Sequence, residues 1–264
     1  MLRTSRWALI WTVLRLLAAI AIIAAVIGQA ARTIGIGIDA GQHLPTVVTN
    51  FFSFFTILSN CAAAVVLLWA VAGWVSVGRR RTADAAPATD PAALAVALAS
   101  VTTYMVITGV VYNTLLRNVD LPQGTTVPWS NEILHVVAPL FLLLDLFLGP
   151  GRRALPWRDV GVILIFPILW VVYTLVRGPL ITNPVSEQPF WYPYPFLNPN
   201  NPDLIFPGYG GVAFWVVAIA AGIIVTATIV VGVGRRRGQG ASGDSSATRS
   251  GTVQRLSRIS SRGR

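Results

Sequence analysis

Five polar side chains stand out in an otherwise apolar sequence because together they could carry out nucleophilic chemistry; they are Thr56, Asn60, Asn113, Asn131 and His135. A neutral imidazole can take the proton of a hydroxyl while that oxygen attacks a carbonyl carbon, and can return it to the leaving alcohol. Thr56 and His135 are the candidate nucleophile and base. Asn60 or Asn113 is a candidate donor to the developing oxyanion, and Asn131 a candidate for fixing the imidazole tautomer.

Other residues nearby compete for these roles. Ser59 and Cys61 are rival nucleophiles, although neither shares the i, i+4 helix face of Thr56 and Asn60. Glu132 is an alternative orienting group, although a carboxylate at the membrane boundary is more often solvated. Each Asn or Thr taken singly is also explained by ordinary hydrogen bonding between helices.

The composition is that of an integral membrane protein. Of the 264 residues, 54% are hydrophobic and 11% charged, which is too apolar for a soluble domain of this length. The single cysteine, Cys61, excludes an internal disulfide, and no Cys/His cluster has zinc spacing, so we expect neither redox chemistry nor a metal site. The net charge of +10 comes from arginine alone, beside apolar segments, where membrane orientation and lipid attraction explain it better than nucleic-acid binding.

Six apolar segments are long enough to cross a hydrocarbon core about 30 Å thick. The sequence therefore predicts an all-α, six-span fold with helices near Trp7–Ile27, Val47–Trp69, Ala92–Leu116, Asn131–Leu148, Val160–Val176 and Val212–Val233. In the fourth helix, Pro139 lacks the N–H that would bond the His135 carbonyl, so the histidine lies beside a freed backbone acceptor.

The arginines predict the orientation of the spans, since short cytoplasmic loops carry the positive excess. The clusters are Arg3 and Arg6, Arg79 to Arg81, Arg152, Arg153 and Arg158, and Arg235 to Arg237. Both termini are therefore expected in the cytoplasm and the protein in the cell membrane. Arg32, Arg117 and Arg177 are expected on the outer side, at or just past the ends of outgoing helices.

Two domain-level segments follow from composition. Residues 1–237 form the predicted transmembrane domain, and the Gly/Ser/Arg-rich residues 238–264 a disordered basic cytoplasmic tail. The connection from Arg79 to Pro91 is predicted to be flexible. The outer loop from Gly178 to Pro207 contains eight prolines and an aromatic run, which favours either an interfacial belt or a lid over an outward-facing pocket.

Helix rise places the polar residues at a common depth. His135 lies roughly 9 Å below the outer boundary and Thr56 about 10 to 14 Å, since a helix rises about 1.5 Å per residue. Polar groups in hydrocarbon need partners within the bundle, so the five residues are expected to converge on a buried outer-leaflet pocket. A second pair, Arg15 and Asp145, lies nearer the cytoplasmic side. We expect the two charges either to approach each other or to find water, in a structural role rather than as a proton path.

Three patches of this sequence resemble the androgen-induced and androgen-dependent multi-pass membrane proteins. They are Phe54-Phe55-Thr56-Ile57-Leu58, Trp129-x-Asn131 followed by His135, and Tyr194-Pro195-Phe196-Leu197, with Pro139 and Asp145 at further matching positions. The resemblance runs in order from Trp7 to Val233 and is closest to a bacterial six-pass branch. It implies a threonine-dependent lipid-ester hydrolase, with Thr56 as nucleophile and His135 as catalytic histidine.

The same resemblance implies membrane lipids as substrates, specifically fatty acid esters of hydroxy fatty acids or similar esters, and no cofactor. Two other functions remain open from the residues themselves. One is a lipid-binding or structural membrane protein that uses the same pocket without catalysis. The other is a small transporter with His135 as a proton site, although no inverted repeat or set of midplane charges is visible.

Overall fold

In the residues that the structure, a computed structural model, describes, all regular secondary structure is helical and no strand is present. The described residues are 2–78, 89–119 and 126–260, with side chains described for 6–76, 89–119 and 126–237. The helices are α1 (Leu2–Asp39), α2 (Leu44–Phe51), α3 (Phe55–Gly78), α4 (Ala92–Val111), α5 (Pro128–Glu132), α6 (Ala138–Leu148), α7 (Asp159–Arg177) and α8 (Tyr209–Ser260). Two π-helices, Tyr112–Leu116 and Ile133–Val137, and two 3₁₀ turns, Gly178–Leu180 and Pro195–Leu197, complete them.

The predicted all-α, six-span membrane fold is confirmed. Within the part of the chain that the structure describes, six helical stretches are long and apolar enough to cross a bilayer: Arg6–Asp39, Phe55–Ser76, Ala92–Leu116, Pro128–Leu148, Asp159–Leu180 and Tyr209–Arg237. The cytoplasmic position of the termini stays a prediction, as does the disorder of residues 238–264, whose side chains lie outside the described ones. Most of the predicted flexible connection, residues 79–88, also lies outside the described residues.

The second predicted span was wrong at its start, because the chain breaks between α2 and α3. In a continuous helix the Thr49 carbonyl would accept the backbone N–H of Ser53. Here the Ser53 hydroxyl donates to the Thr49 carbonyl oxygen at 2.7 Å, while the backbone N–H of Ser53 donates to the Asn50 carbonyl instead. Thr56 is consequently the second residue of α3 rather than seven to nine residues inside a helix from Val47.

The first helix also differs from its predicted length. Helix α1 continues to Asp39, so Arg32 lies within the helix rather than past its end. Arg117 and Arg177 do lie at helix ends, just after the π-helix that follows α4 and at the last residue of α7, while their position on the outer side stays a prediction.

Helix α4 lies at the centre of the bundle and packs against α3, α6, α7 and α8. Gly109 allows a close approach of α4 to α6, since a Cβ there would meet Pro139 Cβ at 3.0 Å and the His135 carbonyl oxygen at 3.2 Å. A second polar link crosses to α7, where Pro167 has no N–H for the Ile163 carbonyl. The Tyr104 hydroxyl donates to that carbonyl at 2.7 Å, so the central helix satisfies the acceptor that the proline frees.

The predicted pair of Arg15 and Asp145 is confirmed as part of a buried cluster at the arginine-rich end of the bundle. Arg15 Nε and Nη2 donate to the two carboxylate oxygens at 2.8 and 3.2 Å. Arg152 Nη2 donates to Asp145 Oδ2 at 2.5 Å, and the Trp11 indole N–H to Oδ1. Asp145 is 1% exposed, so its charge depends on these donors rather than on water.

Asp90 lies beside this cluster, just before α4 and outside the spans, and is expected to make stability depend on pH. Its backbone N–H bonds the Gly151 carbonyl at 2.7 Å. Burial raises the pKa of its carboxyl to about 6, against the lowering effect of Arg15 and Arg152. Because this exceeds the unfolded value near 3.9, the contribution to stability is complete below about pH 4 and is lost as pH rises through 6.

Relative to an Asp90→Asn variant, the wild type should therefore lose stability between pH 4 and pH 7. The difference is at most roughly 3 kcal/mol, less the screening by solvent at this partly exposed carboxyl. Melting curves of both proteins in detergent across this pH range measure it. A gap between the two midpoints that stays constant with pH would contradict the expectation.

Candidate active site

Thr56 lies at the first turn of α3, directly after the chain break. Backbone N–H groups in a first helical turn have no carbonyl one turn earlier to bond, so they need other acceptors. The Thr56 N–H finds one in the Tyr194 hydroxyl oxygen, at 3.3 Å. Thr56 is 9% exposed, so its hydroxyl lies in a largely buried space at the positive end of a 24-residue helix.

His135 is the central residue of the π-helix Ile133–Val137, which is enclosed by α5 and α6. In this register the Ala138 N–H bonds the Ile133 carbonyl, and Pro139 supplies no N–H at all. The carbonyls of Leu134 and His135 both lose a backbone donor that an unbroken helix would supply. Single π-turns inside α-helices are frequent at functional sites.

Two predicted site residues satisfy those freed carbonyls. Asn60 Nδ2 donates to the Leu134 carbonyl at 3.2 Å, and Asn113 Nδ2 to the His135 carbonyl at 3.2 Å. Their remaining amide hydrogens bond the carbonyls of Thr56 at 2.9 Å and Gly109 at 2.7 Å. Both asparagines therefore fix the backbone of the site from α3 and from the end of α4, with their amide donors already occupied.

The predicted pair meets in the structure, with Thr56 Oγ1 lying 3.3 Å from His135 Nε2. The other ring nitrogen, Nδ1, lies 2.9 Å from the backbone carbonyl oxygen of Asn131. A carbonyl only accepts, so Nδ1 carries the hydrogen and Nε2 of the neutral ring has a free lone pair. Thr56 is thus the donor and His135 the acceptor, which is the polarity that a general base requires.

Asn131 orients the histidine differently from the prediction. Its backbone carbonyl, not its side chain, holds the tautomer, while its side-chain amide donates to the Tyr112 hydroxyl. The Tyr112 ring in turn stacks on the imidazole, with centroids 3.8 Å apart. The alternative, Glu132, is exposed and pairs with Arg117 at 2.8 Å.

The rival nucleophiles have other surroundings. The Ser59 hydroxyl donates to the Thr56 carbonyl at 3.1 Å and lies 3.2 Å from Thr108 Oγ1. Cys61 is a free, half-buried thiol on α3. Thr56 is the hydroxyl that contacts the imidazole.

Tyr194 is a site residue to which the sequence alone gave no role. Its hydroxyl oxygen lies 3.3 Å from Thr56 Oγ1 and also 3.3 Å from the Thr56 amide nitrogen. The Tyr-Pro-Phe-Leu patch of the resemblance contains this tyrosine and could have indicated a role for it. Which side chain of the loop contacts Thr56, however, depends on how the proline-rich loop folds back onto the bundle. Four aromatic side chains of that loop are buried, namely Trp191, Tyr192, Tyr194 and Phe196, and its position at the membrane interface stays a prediction.

A tight contact holds this loop on the bundle. A Cβ at Gly178 would lie 2.1 Å from a ring carbon of Tyr192, so only glycine admits the tyrosine ring there. The Trp191 N–H also donates to the Gly178 carbonyl at 2.9 Å. The loop is therefore fixed at the end of α7, and whether it acts as a lid stays a prediction.

An apolar crevice leads away from Thr56 between α4, α7 and α8. It encloses about 970 Å³ of empty space, part of which is open at the protein surface. Along α8 its lining runs from Val216 to Ile224, a length of roughly 12 Å. Ile168 and Ile224, which line it, are 55% and 45% exposed, so the crevice opens sideways between helices that span the membrane.

The chain matches no family model, no curated protein and no solved structure. The resemblance to the androgen-induced proteins stays a prediction that depends on three short patches. Those patches converge on one site, because Thr56, His135 and Tyr194 each come from a different patch and meet through contacts of 3.3 Å.

Proposed function

We propose that this protein is a membrane-embedded hydrolase of lipid esters, with Thr56 as the nucleophile and His135 as the general base. The observation that supports it most is the directed contact of Thr56 Oγ1 with the unprotonated Nε2 of His135, held in that tautomer by the Asn131 carbonyl. Hydroxyl and base are within reach of each other, and the base has a third group that orients it. This arrangement is the general one of acyl-transfer enzymes with a hydroxyl nucleophile.

The proposed reaction has two steps. Nε2 takes the Thr56 proton as Oγ1 attacks the ester carbonyl carbon, and the imidazolium then gives that proton to the departing alcohol as the ester C–O bond breaks. The acyl group remains on Thr56. Water then gives a proton to Nε2 as its oxygen attacks the acyl carbon. The bond between that carbon and Oγ1 breaks and the imidazolium gives the proton to Oγ1, which releases the carboxylic acid and restores the hydroxyl.

The crevice supports a long-chain acyl group as part of the substrate. Thr56 and Tyr194 are part of its lining, the rest of that lining is almost wholly apolar, and the crevice opens sideways. A lipid chain can enter this space from the membrane without crossing water. Fatty acid esters of hydroxy fatty acids fit this description and are the substrate class that the family resemblance implies. The proposed location of the reaction is the cell membrane of a bacterium.

Labelling with a fluorophosphonate probe tests the proposal, since this reagent phosphonylates activated hydroxyls. Purified protein in detergent should label in the wild type and in Cys61→Ala, and should not label in Thr56→Ala or His135→Ala. Folding of each variant is checked by its melting curve. Absence of label on a folded wild type would exclude the proposed nucleophile.

Lipid binding without catalysis is the second candidate, and the crevice is the observation that favours it. A folded wild type that binds a fluorescent fatty acid but neither labels nor hydrolyses esters would support this function instead. Binding should then be insensitive to Thr56→Ala.

Chain-length preference should change when the crevice is filled. Ala220 on α8 is half-buried in its wall, so Ala220→Phe places a ring where the acyl chain would lie. We expect hydrolysis of a 16-carbon p-nitrophenyl ester to fall about 5- to 150-fold, since an overfilled apolar site costs on the order of 1–3 kcal/mol, while the acetyl ester is little affected. Val217→Phe is the matched control, because Val217 is 69% exposed on the same helix. Equal losses on both esters would contradict the placement of the chain.

A further inference from the structure

The Tyr194 hydroxyl occupies a fixed position above the start of α3. Its oxygen lies 3.3 Å from both the amide nitrogen and Oγ1 of Thr56. The ring is 5% exposed and is held by Phe54, edge-on at 5.4 Å between centroids, and by Phe196, stacked at 5.2 Å. Rotation of this side chain away from Thr56 would break both aromatic contacts.

The hydrogen bonds around this hydroxyl have a single consistent direction. The Thr56 N–H can only donate, so the phenolic oxygen accepts from it. The Thr56 hydroxyl hydrogen is directed to His135 Nε2, which leaves Oγ1 as an acceptor. The phenolic hydrogen of Tyr194 is therefore the one directed at Oγ1, and it is available to whatever group forms there.

Tyr194 also keeps this hydrogen at neutral pH. Burial raises the pKa of its hydroxyl above the ordinary value near 10, and the hydrogen bonds from Thr56 and from the neighbouring backbone oppose that rise. The group is a neutral phenol, hence a donor. The N–H behind it lies at the positive end of α3 and polarises the phenol further.

The two asparagines that were the predicted oxyanion donors have no amide hydrogen available for a substrate. Asn60 donates its amide hydrogens to the carbonyls of Thr56 and Leu134. Asn113 donates to those of Gly109 and His135. Using either amide for a substrate would leave a backbone carbonyl without its donor in an apolar interior.

We propose that Tyr194 is a catalytic residue that donates its phenolic hydrogen to the oxyanion formed when Thr56 attacks the ester, an inference that rests on the proposed function. When Oγ1 bonds the carbonyl carbon, negative charge develops on the carbonyl oxygen, two bonds from Oγ1. The phenol, hydrogen-bonded to Oγ1 beforehand, shifts its hydrogen bond to that oxygen. The proton stays on Tyr194, and as the leaving alcohol departs the oxyanion returns to a carbonyl.

The variant Tyr194→Phe tests this inference, because it removes one hydroxyl and keeps the ring and its aromatic contacts. We expect kcat for a p-nitrophenyl ester to fall about 10²- to 10³-fold, as on removal of one oxyanion donor, with KM changed less than about threefold. The rate of fluorophosphonate labelling should fall in parallel. A trifluoromethyl ketone, which adds reversibly to the threonine and carries the oxyanion, should lose a similar factor in affinity.

Tyr104→Phe is the matched control. It also removes a buried tyrosine hydroxyl, one that donates to the Ile163 carbonyl on α7 rather than to Thr56 or His135. Its melting temperature should fall while kcat and ketone affinity stay close to wild type. Melting of Tyr194→Phe confirms that the variant is folded when it is assayed.

Each outcome is decisive. An active wild type together with a Tyr194→Phe variant of near-normal kcat overturns this inference and leaves the proposed function intact. The same holds if only KM rises, which would make Tyr194 a substrate-binding contact. A folded wild type that neither labels nor hydrolyses overturns the proposed function and this role together.

Discussion

Thr56→Ala and His135→Ala are each expected to lower kcat for ester hydrolysis by about 10⁴-fold or more, and the double variant no further. The two side chains act as one unit through the 3.3 Å contact of Oγ1 with Nε2, so losing either removes the activated oxygen. Release of p-nitrophenolate from a medium-chain ester by purified protein in detergent measures this loss.

Three further variants are the controls for this prediction. Cys61→Ala and Ser59→Ala should keep most of the activity, because neither side chain is the hydroxyl that contacts the imidazole. Thr56→Ser keeps the hydroxyl and should retain measurable turnover. Losses that multiply in the double variant would show that Thr56 and His135 act independently and would contradict the pair.

Asp145→Asn is expected to give the largest loss of stability of any single substitution discussed here. The change removes the negative charge that Arg15 and Arg152 share, at a position where Asp145 is 1% exposed. Breaking a buried ion pair by removing one partner costs about 3–5 kcal/mol, because the other charge stays buried without compensation. Unfolding in mixed micelles, or melting followed by circular dichroism, measures the difference.

Glu132→Gln is the control for this loss, since Glu132 pairs with Arg117 at a similar distance of 2.8 Å but on the exposed surface. Exposed pairs contribute little because water and salt screen them, so its melting temperature should stay near that of the wild type. A melting temperature of Asp145→Asn equal to that of Glu132→Gln would mean that water reaches the cluster.

Hydropathy and residue type sufficed to predict the six spans, the approach of Thr56 to His135 and the pairing of Arg15 with Asp145. Each depends on a strong physical requirement, namely an apolar length matched to the membrane or a polar group that needs a partner in hydrocarbon. These requirements hold whatever the detailed packing of the side chains, so their structural consequences can be predicted from a single sequence.

The local geometry of the site was not predictable in the same way. The break before α3 depends on one serine hydroxyl displacing one backbone bond, and the π-turn at His135 depends on a shift of a single residue in hydrogen-bond register. Neither changes the apolar pattern. The sequence therefore did not predict that the Asn131 carbonyl, rather than its side chain, bonds the imidazole. It also did not predict the contact of Tyr194 with Thr56, because the prolines do not specify the path of the loop that contains Tyr194.

Prolines in two helices also have a consequence for how far the helices can slide along one another. Pro139 and Pro167 leave the carbonyls of His135 and Ile163 without a backbone donor, each at a fixed position along its helix. Asn113 donates to the first of these carbonyls and Tyr104 to the second, from α4 and the π-helix that follows it. A slip of one helical turn moves a side chain by about 5.4 Å, more than a hydrogen bond tolerates. Every slipped arrangement would leave a donor and an acceptor unpaired in hydrocarbon, so the two prolines select one axial register for the bundle, and with it the height at which Thr56 meets His135.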